Sequence, residues 1–284
     1  MRVAIIGAKG QLGTDLTEVF DEQALPFTHE DLDVTIPESL EILKKAKPDV
    51  IINTAAYHKT DECEDNVIKA FNVNAIGALN VARVANEVDA INIYIGTDYV
   101  FDGKKAKPYV EEDKPNPINV YGLSKYAGEI FTQNYSKKYY IIRVASLFGK
   151  AGASGKGGNF VETMIKLSKE RKEIRVVNDI TMSPTYTKDA AEAIKKIISK
   201  KLPFGIYHVV NSGCCTWYDF AKAIFDILKI DVKVKPISSK EFPTKARRPK
   251  NSALSNEKLQ TYGIKMRHWK PALKAYLKEK GYLE

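Results

Sequence analysis

A phenol and an ammonium stand four residues apart at Tyr121 and Lys125, in the stretch Val120-Tyr121-Gly122-Leu123-Ser124-Lys125 at the start of an expected helix. One helical turn brings such a pair onto one face. A phenol with its free pKa of about 10 is a poor acid at neutral pH, and a neighbouring cation favours the phenolate and lowers that value. Tyr121 is therefore expected to pass a proton to a developing alkoxide, helped by Lys125. Tyr-x-x-x-Lys spacing also arises by chance on solvated helices, so the pair gains meaning only from what surrounds it.

The surrounding elements read as a nucleotide fold. Arg2 to Ile6 is a short apolar run, followed by Gly7-Ala8-Lys9-Gly10-Gln11-Leu12-Gly13 and an amphipathic segment through Phe20. Strand, glycine turn and helix in this order let a backbone approach a pyrophosphate, whose charge the free N–H groups of the helix start favour. The bland alternative is a plain tight βα turn, and the strand before and helix after favour the cofactor reading. Further strands are expected at Ala24 to Thr28, Pro48 to Asn53, Ile91 to Ile95 and Tyr139 to Val144. A helix is expected from Pro37 to Lys45, and a long, largely buried one from Asp65 to Asn86. Asp33 is the acid about 20 residues past the glycines that would hold an adenosine ribose, although Thr28 or His29 ends the strand itself. With neither a clear carboxylate nor an arginine there, NADH and NADPH are not separated. Thr97 and Asp98 follow the fourth strand, where a parallel sheet lines its ligand crevice.

The expected fold class is α/β, a Rossmann-type doubly wound parallel sheet with a smaller interleaved C-terminal lobe. Residues 1–145 form the dinucleotide-binding domain. Residues 146–284 form mainly a substrate-binding lobe, with elements near 174–200 returning to the sheet. Helices are expected at Phe160 to Lys169, Thr187 to Ser199, Trp217 to Leu228 and Pro271 to Lys280, and strands at Ile174 to Val177, Gly205 to Val210 and Asp231 to Pro236.

The chain has 284 residues, 44% of them hydrophobic, which suits a globular protein with a sizeable core. Its apolar runs are strand-sized, and the N-terminus enters a strand directly, so a soluble cytoplasmic protein is expected, with no membrane partner. The formal charge of +9 comes from lysines scattered among acids. That favours anionic ligands such as nucleotides, whereas no zinc-finger spacing or RNA-binding aromatic signature supports a nucleic-acid partner. Cys63, Cys214 and Cys215 suggest no disulfide framework, and the dispersed His29, His58, His208 and His268 give no metal-ligand spacing, so no metal is expected. The sequence leaves the oligomeric state open, a homodimer included.

The glycine turn, the Thr97 strand end and the Tyr121/Lys125 pair together resemble the extended short-chain dehydrogenase/reductase superfamily. Within it, several motifs resemble the dTDP-4-dehydrorhamnose reductases: Gly7 to Gly13, Asn53-Thr54-Ala55-Ala56-Tyr57, Thr97-Asp98-Tyr99-Val100-Phe101, Asn119 to Lys125, Ser183-Pro184-Thr185, Gly205 to Val209, and Arg247-Arg248-Pro249-Lys250-Asn251-Ser252 with Leu254. The resemblance covers nearly the whole chain. It implies reduction of the 4-keto group of a dTDP-linked 6-deoxyhexose by NADPH or NADH. Thr97, Tyr121 and Lys125 would be catalytic: Tyr121 the proton donor, Lys125 lowering its pKa and holding the nicotinamide ribose, Thr97 polarising the carbonyl. Gly7, Gly10, Gln11, Leu12, Gly13, Asp33, Val34, Ala55, Ala56 and Tyr57 would contact the cofactor together with Tyr121 and Lys125. Thr97, Asp98, Tyr99, Phe101, Tyr121, Ser146 and Asn159 would face the nucleotide-sugar substrate.

Asp98 is followed by Tyr99, where sugar 4,6-dehydratases of the superfamily carry a glutamate, so dehydration lacks its base. An epimerase, which uses the same Tyr/Lys pair, stays open. So does a regulatory subunit, because the fold also resembles the β subunit of methionine adenosyltransferase; retention of Thr97, Tyr121 and Lys125 speaks against that. One departure stands out. Bacterial rhamnose reductases often carry tryptophan where this chain has Ser146, a loss of apolar contact area worth a few kcal/mol at about 25 cal/mol per Å² if nothing replaces it. The Lys150 to Asn159 loop is the expected replacement, or its Lys156 or Asn159 meets the nucleotide diphosphate.

Overall fold

Short, continuously apolar strands set the centre of the fold. Val3–Ile6 (β1) and Val50–Asn53 (β3) are buried at every position, as strands covered on both faces must be. In the computed structural model, which describes residues 1–152 and 158–284, they lie side by side in a six-stranded sheet. Its other members are Ala24–Phe27 (β2), Ile91–Thr97 (β4), Tyr139–Val144 (β5) and Gly205–His208. Starting from Gly205–His208, the order runs through β5, β4, β3 and β1 to β2, and every pairing is parallel. Because β1 has β2 on one side and β3 on the other, the chain reverses its winding direction there. A crevice opens at that point beyond the carboxyl ends of the strands.

The sheet's two faces bury separate cores. One gathers β1, β3, β4 and β5 side chains under the helix Gln11–Phe20 (α1) and the helix Thr187–Ser199, with Leu16, Ile52, Ile142 and Ile194 fully buried. The other packs Ile6, Ile51, Leu43 and Val81. A third core belongs to the C-terminal lobe, where Phe148, Tyr186, Phe220 and Tyr276 meet between the helices Phe160–Glu170, Trp217–Leu228 and Trp269–Glu279. The strand Glu173–Val177 belongs to this lobe and pairs with Lys233–Ile237 in a parallel ribbon of its own. The strand that rejoins the large sheet is thus Gly205–His208. From the 174–200 region only the helix Thr187–Ser199 packs on that sheet, so the expected return is carried by a different strand.

The long helix expected over 65–86 is broken. Thr60–Asp65 and Val67–Phe71 are separate short helices, Asn72–Ile76 is a π turn, and α-helix resumes from Gly77 to Glu87. Val67 and Ile68, read as core positions, are 44% and 78% exposed. The π turn accommodates one residue more than an α turn, and it turns Asn74 inward. There the Asn74 amide accepts from the Tyr57 N–H at 2.8 Å and donates to the Tyr57 carbonyl at 3.1 Å and the Ser124 hydroxyl at 2.9 Å. The 37–45 helix likewise begins as a 3-10 turn, Pro37–Leu40, before Glu41–Ala46.

The helix Val120–Tyr135 crosses the π turn at Gly128. A side chain at Gly128 would collide with the Asn74 carbonyl oxygen and the Tyr94 ring. Alanine normally favours a helix over glycine by about 1 kcal/mol. Here Gly128→Ala is expected to destabilise instead, by about 1–3 kcal/mol as an overpacked core does, read as a lower urea midpoint. A midpoint at or above wild type would show that the two helices can separate freely.

Candidate active site

Each element ends at the crevice. Asn119 accepts from the Gly122 N–H at 2.8 Å and so caps the helix that starts at Val120, and the Glu64 carboxylate receives the Val120 N–H at 3.0 Å. These two bonds fix the first turn, and with it Tyr121. β4 delivers Thr97 at its carboxyl end, where the hydroxyl accepts from the Tyr99 N–H at 3.2 Å and donates to Asp98 at 3.1 Å. Thr97, Asp98, Tyr99, Tyr121, Lys125 and Ser146 border one large cleft of about 2530 Å³. The cleft runs from the glycine turn to Trp217, Phe220 and the 239–248 segment of the lobe.

Burial sets the electrostatics. It pushes the Tyr121 phenol upward, and the Thr97 hydroxyl works against that. Lys125 is 2% exposed, with its ammonium 4.1 Å from the centre of the Tyr94 ring. Burial depresses its pKa to about 7, opposed by the Glu129 carboxylate one turn further along. Desolvation acts on both groups in the direction of their neutral forms, and the lysine lies against Tyr94. Asp98 is raised to about 6, again by burial, with hydrogen bonds from Ser252 and Thr97 holding it down.

The glycine turn fits a dinucleotide on structural grounds. Gly7 has φ +80°, and a Cβ there would come within 2.6 Å of the Thr54 hydroxyl, while one at Gly13 would strike the Gly7 carbonyl. Only glycines allow so close a passage of strand, turn and helix. No side chain caps α1, which leaves its first amides to a ligand. The Gln11 Oε1 is buried without a hydrogen-bond partner. Ala55, Ala56 and Tyr57 border the same cleft, as do Leu12, Asp33 and Val34. Asp33 is part of a local turn: its Oδ1 accepts from the Thr35 N–H at 2.8 Å and the Thr35 hydroxyl at 2.7 Å. β2 ends at Phe27, before either Thr28 or His29.

Two substrate assignments change. Phe101 is 0% exposed and stacks on Tyr109 with ring centres 4.1 Å apart, beneath the Arg143 guanidinium. It belongs to the core and is not on the cleft wall; an aromatic just past a strand end can turn either way, and here Arg143 and Tyr109 draw it inward. Asn159 reaches the cleft wall, but its amide is spent on structure. Its oxygen caps the helix Phe160–Glu170 through the Val161 and Glu162 N–H groups, and its nitrogen donates to the Gly149 carbonyl and the Tyr276 hydroxyl. Lys156 lies outside the described residues. Ser146 borders the cleft with a left-handed φ of 42°.

Sequence reasoning passed over Glu129 and gave no role to Arg143 or Arg248. Glu129 and Arg143 form a 2.8 Å ion pair, each side chain 1% exposed. A side chain at Gly96 would come within 2.5 Å of the Glu129 carboxylate. The signal was present as a second four-residue step, Lys125 to Glu129, beyond Tyr121 to Lys125.

A parallel doubly wound sheet with a glycine-lined first turn, and Thr97, Tyr121 and Lys125 gathered beyond its carboxyl edge, defines a protein of the extended short-chain dehydrogenase/reductase class. The chain belongs to the RmlD substrate binding domain family, whose model matches residues 1–281. It is 38% identical over 283 residues to the spore coat polysaccharide biosynthesis protein SpsK of Bacillus subtilis, covering 98% of each chain. To the dTDP-4-dehydrorhamnose reductase of Aggregatibacter actinomycetemcomitans it is 38% identical over 290 residues, covering 96% of this chain and 97% of that one. Among solved structures, the dTDP-4-dehydrorhamnose reductase of Bacillus anthracis in complex with NADP superposes with a TM-score of 0.93 at 43% identity, over 98% of this chain and 99% of that one. No helix among the described residues is long and apolar enough to cross a membrane.

The buried Lys125 has a measurable consequence. Below pH 7 the folded state bears the full cost of the desolvated ammonium. As pH rises from about 7 toward the ordinary lysine value of 10.5, the folded state is deprotonated first and that cost shrinks, by about 1.4 kcal/mol per pH unit. Lys125→Met is therefore expected to stabilise the unliganded protein most at pH 6 and progressively less toward pH 10 in urea titrations. A variant-minus-wild-type difference that is flat with pH would refute the burial argument.

Proposed function

We infer that the chain reduces the 4-keto group of a nucleotide-linked 6-deoxyhexose, converting dTDP-4-dehydro-L-rhamnose to dTDP-L-rhamnose with NADPH. The observation that carries the reading is the convergence of Thr97, Tyr121 and Lys125 on one cleft with the glycine turn, in a chain of this family. Relatives named dTDP-4-dehydrorhamnose reductase match it over nearly their full length, and one solved relative is a complex with NADP.

A nicotinamide dinucleotide held at the glycine turn would supply hydride to the sugar's C4. The chain's residues do the rest. Gly7, Gly10 and Gly13 would admit its pyrophosphate to the start of α1, and Gln11, Leu12, Asp33, Val34, Ala55, Ala56 and Tyr57 would hold the rest of it; of these residues all but Gly13 are on the cleft wall. The Thr97 hydroxyl donates to the carbonyl oxygen, which draws electron density from C4. Tyr121 gives its phenolic proton to that oxygen as negative charge develops, so the carbonyl becomes a hydroxyl in one concerted addition. Lys125, one helical turn away, would hold the nicotinamide ribose, and its positive charge, when protonated, favours the resulting phenolate. Asp98, Tyr99 and Ser146 border the sugar. With Tyr99 following Asp98, no glutamate stands ready to remove the proton that dehydration requires.

Purified protein is expected to oxidise NADPH only when dTDP-4-dehydro-L-rhamnose is present, followed by loss of absorbance at the nicotinamide band. No turnover with this or related keto sugars would sink the reading. Tyr121→Phe is expected to lower kcat by about 10²–10⁴-fold, the range of a lost general acid, while NADPH binding measured by fluorescence stays nearly unchanged. Equal losses in both would indicate a structural role instead.

A further inference from the structure

The lobe reaches across the cleft through residues 246–248, which bond to Asp61 and to Asn119, the cap of the helix that carries Tyr121. The Ala246 N–H donates to the Asp61 carboxylate at 2.9 Å, and the Arg248 guanidinium donates to the other oxygen of the same carboxylate at 2.8 Å. The Arg247 carbonyl accepts from the side-chain amide of Asn119 at 2.8 Å, the residue that caps Tyr121's helix. Asp61 lies on the short helix Thr60–Asp65, whose Glu64 receives the Val120 N–H on the same helix start.

From its seat on Asp61, Arg248 lies 5.9 Å from the centre of the Tyr99 ring, within range of a cation on an aromatic face. The Tyr99 ring in turn meets the Tyr121 ring edge-on, centres 5.9 Å apart at 74°. The ring of Tyr121 thereby meets a ring that also carries a cation from the other lobe.

We propose that Arg248 is a positioning residue for Tyr121: held by Asp61, it braces Tyr99 so that the proton donor keeps its orientation only when the lobe's segment is seated. The proposal rests on the reductase reading above. The side chains of Arg248 and Asp61 are 20% and 46% exposed, so their pair contributes little to folding. Its loss therefore belongs in turnover and not in the melting temperature.

The test compares Arg248→Met, Asp61→Asn and the double variant with wild type in steady-state NADPH oxidation. Arg248→Met is expected to lower kcat by about 10–100-fold, the scale of a slightly misplaced catalytic group. The KM for the keto sugar, the NADPH affinity and the melting temperature should stay close to wild type. Asp61→Asn should lower kcat less, and the double variant should be no slower than Arg248→Met alone, because both act along one path. A raised KM at unchanged kcat would make Arg248 a substrate contact and overturn the proposal. So would unchanged kinetics, or losses that multiply in the double variant. Should Arg248→Met fail to fold, Asp61→Asn carries the same test at a more exposed position, and an unchanged kcat there overturns it. A wild-type protein inactive on every keto sugar would remove the reductase reading and this inference with it; an active wild type with unaffected variants removes only the inference.

Discussion

A carboxylate and a guanidinium sealed from water beneath the Tyr121 helix constrain much of the site above them. Glu129 receives Arg143 through both of its oxygens, at 3.0 and 3.2 Å from Nε and 2.8 Å from Nη2. Two charges buried this way repay their desolvation only in good geometry, and removing one partner typically costs about 3–5 kcal/mol. The pair therefore tolerates little movement of the helix against β5. It also requires Gly96 in β4 to lack a side chain, which brings helix and sheet close just before Thr97. The separation of Thr97 from Tyr121 follows from that contact. The same carboxylate is the charge that favours protonated Lys125. His208, close to Arg143, is driven down to about 3 by burial and that cation, and so stays neutral.

Much of this was legible in the residues. Continuous apolar runs marked the central strands because parallel strands are covered on both faces. The glycine turn and Tyr121 announced themselves through local spacing. The helices Thr187–Ser199 and Trp217–Leu228 were readable to the residue, their apolar positions recurring with a helical period. What spacing could not show was long-range pairing. Glu173–Val177 and Gly205–His208 are both short strands, and nothing local tells which of them joins β5 and which pairs with Lys233–Ile237. Phe101 has the residue type of a sugar-stacking ring, but its burial depends on Arg143 and Tyr109, both distant from the strand end that suggested its role.

The cleft is also a joint. The wall around the glycine turn comes from the first half of the chain, whereas the far wall comes from the lobe, through Phe160, Trp217 and the 239–248 segment. The lobe has its own apolar centre and its own parallel ribbon. Polar contacts span the boundary elsewhere, where Lys188 lies between Glu18 of α1 and Glu279 of the last helix. Chemistry therefore needs two separately packed bodies in register.

The π turn at Asn72–Ile76 has a consequence for how such a chain can change over generations. Its extra residue turns Asn74 toward Tyr57 and Ser124 and brings the Asn74 carbonyl against Gly128 and the Tyr94 hydroxyl, which donates to it at 2.8 Å. Deleting one residue from the turn would withdraw Asn74, and enlarging Gly128 would push it away. Neither step is accessible while the other partner is kept. The turn and the glycine, more than fifty positions apart in the chain, are in effect inherited as one character.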